Sequence, residues 1–175
     1  METEEQYAKR CQENLHKTAF QGCEWMQNRA MAFLSGKKIG ACIAGLSKEG
    51  YTPKLFYGFN IELSFTHCYH AEEVAMINCL SDGHRPIIIF VTSKSFEEMI
   101  ALCGDCRQKL MNANRDIRVV VFNPDGSIKI DEQVKEITKY SKSNGKINWE
   151  SFWMDWDFQQ QKDIAIKIPK KVDKQ

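Results

Sequence analysis

His70-Ala71-Glu72-Glu73-Val74-Ala75-Met76-Ile77-Asn78-Cys79-Leu80, followed beyond Ser81-Asp82-Gly83 by Pro86-Ile87-Ile88-Ile89-Phe90-Val91, is the stretch that decides the fold. The first part, with Val74, Ala75, Met76, Ile77 and Leu80, reads as a mostly buried helix ended at Ser81-Asp82-Gly83. The second is an unbroken β-branched and aromatic run, the pattern of a strand covered on both faces. A strand of that kind belongs to a sheet lying between helices.

Working outward, residues Glu4 to Leu34 read as helix, with a break expected near Gly22. Tyr7, Cys11 and Leu15, then Trp25, Met26, Ala30, Phe33 and Leu34, form its apolar stripe, and Ser35-Gly36 ends it. Lys38 to Leu46 reads as a strand, Ser47-Lys48-Glu49-Gly50 as a turn, and Lys54 to Phe59 as the returning strand of a hairpin. Downstream, a helix is expected from near Cys103 through Leu110 and Met111, then a strand over Ile117 to Phe122. The turn Asn123-Pro124-Asp125-Gly126 leads to a short strand, Ser127 to Ile130, and a helix from Asp131 to about Tyr140. The order α-β-β-α-β-α-β-β-α predicts an α/β fold, a three-layer α-β-α sandwich with one mixed sheet. This domain is expected to span residues 1–140. Residues 141–175 form an aromatic-rich C-terminal extension carrying Trp149, Phe152, Trp153, Trp156 and Phe158. Such density suits a cap on the domain or on a neighbouring subunit better than a linker or a nucleic-acid stacking surface.

Composition narrows the function classes. A net charge of +1 over 175 residues provides no global attraction to nucleic acid or an anionic membrane. No apolar run approaches bilayer length, and the acidic start Met1-Glu2-Thr3-Glu4-Glu5 is unlike a secretory signal. The seven cysteines are an odd number, and Cys42 and Cys79 lie in apolar patterns where a free thiol acts as a small hydrophobe. A reducing, cytoplasmic setting is the expectation.

Chemistry concentrates in His70-Ala71-Glu72 and Cys103-Gly104-Asp105-Cys106. His70, Cys103 and Cys106 are zinc-ligand types, and Glu72 is a carboxylate the metal does not need. Three ligands with a place left for water describe an open, catalytic zinc site. The spacing resembles the His-x-Glu…Cys-x-x-Cys signature of zinc deaminases. Both segments are expected at helix starts, where free N–H groups and the positive dipole end favour thiolate. Zn2+ is therefore the expected cofactor and Glu72 the expected proton carrier. Cys68 reads as a packing or spectator thiol, His67 as a loop histidine near the site, and His16 and His84 as surface positions. Arg107 is read equally as a thiolate partner or a solvated helix residue.

Asn60-Ile61-Glu62, ten residues before His70-Ala71-Glu72, together with Cys103-Gly104-Asp105-Cys106-Arg107-Gln108, resembles the cytidine deaminase family. The likeness runs from about Ile39 to Ile130 and includes Gly40-Ala41. It implies a cytidine deaminase-like fold, ribose contacts by Asn60 and Glu62, the Ala71 backbone facing the pyrimidine, and proton transfer by Glu72. The implied activity is zinc-dependent hydrolytic deamination of cytidine or deoxycytidine to uridine or deoxyuridine, with ammonia released. The implied partners are a small-molecule nucleoside and further copies of the chain, as a tetramer or dimer, while the charge and hydropathy above argue against membrane and nucleic acid. The chain departs from the family at several points. Lys37 or Lys38 stands where an aromatic residue often precedes Gly-Ala, and Leu102 replaces a proline. His70 and Glu73 stand where short members carry Cys and Arg, a coherent exchange because imidazole removes a negative charge. The lysine keeps open an alternative substrate, a modified cytosine nucleoside or nucleoside antibiotic, as in blasticidin-S deaminase. The alternative of another class is a catalytically silent zinc-binding assembly module, against which the retention of Glu72 argues.

Overall fold

The computed structural model describes residues 2–48, 52–94 and 102–137. The elements are α1 (Glu4–Arg29), β1 (Ile39–Leu46), β2 (Lys54–Phe59), β3 (Ile61–Ser64), β4 (His67–Tyr69), α2 (Ala71–Ser81), β5 (Arg85–Ser93), α3 (Gly104–Ala113), β6 (Arg118–Phe122), β7 (Ile128–Gln133) and α4 (Val134–Ile137). The main sheet has the order β2-β1-β5-β6-β7, and β3 pairs with β4 in a separate hairpin. Only β5 and β6 run parallel, so the sheet is mixed, as expected.

Helix α1 starts at a capping box: the Thr3 hydroxyl accepts from the Gln6 N–H, and the Gln6 side chain accepts from the Thr3 N–H. It passes Gly22 without a break. Glycine stands there because the Tyr57 ring occupies the space a Cβ would take. The helix ends at Arg29, short of the expected Leu34. Ala30 turns extended, and Met31 instead pairs in parallel with Ile61. Tyr7 and Cys11 are exposed, so the buried seam is Ala19, Cys23 and Gln27, one turn apart. Trp25 is also exposed and lies under the Arg29 guanidinium, 4.6 Å from the ring centroid.

Opposite helices cover the two faces of the sheet. Cys42 pairs with Phe90 and Phe90 with Val120, placing all three on the α1 face with Ala19, Cys23, Ala44 and Phe122. Phe90 and Phe122 stack in parallel, with centroids 5.9 Å apart. Gly40 lets the α1 backbone approach this face, while Gly58, opposite Ala41 on the other face, admits the start of α2. Cys42 and Cys79 are fully buried, as their apolar settings predict.

Other expectations need correction. The hairpin β3–β4 adds two strands to the expected order and places the loop histidine His67 in a strand; its short strands alternate weakly and end in Ser64 to Thr66. Asp131 lies in β7, not at a helix start: it pairs with Val120 in the ladder and accepts from Arg118 at 2.6 Å. Helix α4 therefore begins at Val134, and the expected continuation to Tyr140 lies outside the described residues. His16 is not a plain surface residue but packs edge-on against Phe90 and Phe122. His84 likewise meets the Phe56 ring and the Asp82 carbonyl. The turn Asn123 to Gly126 is as expected, with Gly126 at φ +86° and its N–H bonded to the Asn123 carbonyl at 3.0 Å. Residues 141–175, including the aromatic segment, and part of the 47–50 turn lie outside the described residues. No helix among the described residues is long and apolar enough to cross a membrane.

Candidate metal centre and active site

Two helix starts build the cluster. His70 is the N-cap of α2 and Cys103 the N-cap of α3, while Cys106 lies in the first turn of α3. The Cys103 sulfur accepts the Cys106 N–H at 3.4 Å, the capping bond that an oxygen would otherwise make. His70 Nδ1 lies 3.3 Å from Cys103 Sγ and 3.2 Å from Cys106 Sγ. All three ligand atoms lie within 4.8 Å of one another, and among the described residues this is the group that could hold a metal. Zinc bonds of about 2.0–2.3 Å place tetrahedral ligand atoms roughly 3.5 Å apart, so one imidazole and two thiols at this spacing fit that ion.

The protonation pattern fits too. The Cys106 thiol, the His70 imidazole and the Cys106 N–H all donate to Cys103, bringing it down to about 4. The same Cys103 thiolate, together with burial, pushes the Cys106 thiol up. It also raises His70 to about 9. A cation bound between the two sulfurs would let both ionise.

Glu72 occupies the first turn of α2 and is 4 % exposed. Its Oε2 has no hydrogen-bond partner, a costly state for a buried carboxylate and one that calls for a functional reason. Burial raises its pKa, with the Cys103 thiolate adding to the effect. Its own N–H and the Cys106 thiol oppose it. A carboxyl moved upward in this way suits proton transfer near neutrality.

Asn60 is the residue that joins β2 to β3, Glu62 is the second residue of β3, and both are buried. Asn60 Oδ1 accepts from the Ile39 N–H and its Nδ2 donates to the Lys37 carbonyl, each at 2.8 Å. Glu62 accepts from the Leu34 N–H at 2.7 Å, the Ser35 N–H at 3.0 Å and the Ser35 hydroxyl. The Ser35 hydroxyl leads in holding the Glu62 carboxyl below its usual range. The two side chains thus pin the 34–39 segment, a role the sequence reading missed. Each keeps capacity in reserve, a second N–H on Asn60 and a further lone pair on Glu62 Oε1. Register relates this pair to the cluster: Glu62 lies opposite Cys68, two residues before His70. Ala71 is fully buried, its carbonyl directed at Gly58.

Cys68 and His67 are exposed on β4, so Cys68 is not a packing residue. Arg107 is not a solvated helix residue, and its guanidinium lies within electrostatic reach of the Cys103 thiolate. It is 8 % exposed, and its Nη1 donates to the Ile137 carbonyl at 3.2 Å. An unforeseen feature is Lys109, bonded to Glu73 at 2.9 Å and Asp105 at 2.7 Å. Only its i,i+4 spacing from Asp105 was legible in the chain.

No protein-family model matches the chain. Solved structures do. A cytidine deaminase from Burkholderia pseudomallei is similar at 26% identity and TM-score 0.59, over 70% of this chain and 94% of that one. Cytidine deaminases from Mycobacterium tuberculosis (16% identity, TM-score 0.54, 72% and 95%) and Bacillus anthracis (12%, 0.53, 84% and 97%) share the fold. The α/β fold, with its mixed five-stranded sheet, is cytidine deaminase-like. The likeness supports a deaminase, and hence a hydrolase, with a His70/Cys103/Cys106 group able to take a metal.

Proposed function

We propose that the protein is a zinc-dependent deaminase that hydrolyses cytidine or deoxycytidine to the uridine form, releasing ammonia. The observation that carries this reading is the buried Glu72 carboxylate, with one oxygen unpartnered, beside the His70/Cys103/Cys106 cluster. Those three residues would hold zinc, which supplies Lewis acidity and brings the ionisation of water toward neutral pH. Glu72, its carboxyl raised by burial, takes a proton from the attacking water and passes it to the pyrimidine ring nitrogen, then takes the proton of the new hydroxyl and passes it to the departing amine. Water enters, ammonia leaves, and no redox change occurs. Asn60 and Glu62 would use their spare N–H and lone pair on the ribose hydroxyls, while the Ala71 backbone faces the base. The domain reading, 1–140 with a separate aromatic extension, is part of the proposal, as is the reducing, cytoplasmic setting expected from cysteine usage.

A modified cytosine nucleoside is the second reading, supported by Lys37. Its carbonyl is held by Asn60, so the segment beside the proposed sugar ligand presents an exposed lysine. A homo-oligomer is also proposed. Exposed Phe33, Leu63 and Phe65, the last 92 % exposed, provide apolar surface around Glu62 for a second copy.

The test is ammonia release by zinc-loaded protein from a nucleoside panel, with Glu72→Gln alongside. Wild type is expected to act on a cytosine nucleoside. The variant should keep its zinc and lose about 10²–10⁴-fold in turnover. Undiminished turnover in Glu72→Gln refutes the mechanism. Bound zinc without ammonia from any nucleoside favours the silent module.

A further inference from the structure

Lys109 stands apart from the reacting groups, three residues beyond Cys106 on α3. Its ammonium lies 2.7 Å from Asp105 Oδ2 and 2.9 Å from Glu73 Oε1. Asp105 sits between the two cysteines, and Glu73 follows Glu72 on α2. One cation thus holds a carboxylate from each of the two helices whose starts form the cluster. Among the described residues, the other hydrogen bonds between these segments belong to the cluster and Glu72 themselves.

The charges around the bridge also need it. Glu73 and Asp105 bring two carboxylates onto adjoining helix ends, where like charges repel unless a cation lies between them. Arg107 is turned to the Ile137 carbonyl, so it does not tie α3 to α2. The Glu73 side chain is 18 % exposed, so the cross-helix arm is partly sheltered and stronger than a fully solvated pair.

We infer that Lys109 is a positioning residue: by bonding Glu73 and Asp105 together it sets the separation of α2 and α3 at which His70 meets Cys103 and Cys106. This rests on the zinc reading above. Residues that support metal ligands typically contribute about 10–100-fold in affinity, and partial exposure places this bridge at the lower end.

The test is zinc affinity, measured by competition with a chromophoric chelator. Lys109→Met keeps the chain's bulk and removes its charge, and is expected to weaken zinc binding about tenfold. Lys109→Arg restores a cation and should recover most of that loss. Glu73→Met cuts the same link from the other helix and serves if Lys109→Met does not fold. The double variant should be no weaker than the weaker single one, because both remove one interaction. Unchanged affinity in both single variants overturns the inference, as does an equal loss in Lys109→Arg or additive losses in the double variant. Wild-type protein that takes up no zinc removes the metal reading itself. Wild type that binds zinc beside unaffected variants removes only the role of Lys109.

Discussion

Gly58→Ala is a decisive perturbation because it loads the joint between the sheet and the helix that carries His70 and Glu72. A Cβ at this position would lie 2.5 Å from the Ala75 nitrogen, 3.1 Å from its Cα, and closer still to the Ala71 carbonyl oxygen. These are backbone atoms of α2, so no side-chain rotation relieves the contact. Ordinary contact begins near 3.4 Å, so α2 must retreat from β2 by about 1 Å. Overpacking of this kind costs about 1–3 kcal/mol. For a domain of this size that lowers the melting temperature by roughly 3–10 °C. The same retreat displaces the N-cap His70 and the first-turn Glu72, and misplacement by about 1 Å can cost about 10²-fold in rate. Thermal unfolding and ammonia release, measured on wild type and variant in parallel, read both effects. Gly104→Ala is the stability control, since a Cβ there meets only the Arg107 guanidinium at 3.8 Å. A Gly58→Ala protein with wild-type melting and wild-type turnover would refute the argument that this close approach positions the site.

Two further outcomes follow from the packing. Phe90→Ala removes a fully buried ring stacked on Phe122 and should cost about 3–5 kcal/mol, read as a fall in the urea midpoint with an unchanged slope. Glu62→Gln tests the clamp on the 34–39 segment through pH. Because the folded Glu62 carboxyl is held below its ordinary 4.5, chiefly by the Ser35 hydroxyl, its contribution is full above that value and fades as pH falls through the folded pKa. The melting-temperature gap between wild type and Glu62→Gln should therefore be present at neutral pH and close on acidification; a gap that widens in acid contradicts the clamp.

Local patterns made much of the fold legible. The unbroken run around Ile87 to Val91 has no low-energy place except between two layers, and β5 lies there, with α1 and α2 on opposite faces. The strand Lys54–Phe59 and the Asn123 to Gly126 turn could be read because alternation and turn chemistry act over a few residues. Where partners distant in sequence decide, the reading failed. Met31 leaves the helix to pair with Ile61, Asp131 stays extended opposite Val120 and bonds Arg118, and His16 turns inward against two phenylalanines.

The site divides along the same line. Ligand types and spacing belonged to the chain alone, since one residue between His70 and Glu72, or two between Cys103 and Cys106, sets their geometry within a single helix start. Tertiary packing alone decided that the two starts meet, that one Glu72 oxygen is left without a partner, and that Asn60 and Glu62 hold the 34–39 segment. It also decided that Lys109 spans two helices. Backbone preferences extend over a turn or two, whereas these contacts depend on how far α2 may approach β2. That distance is set by the missing side chain at Gly58.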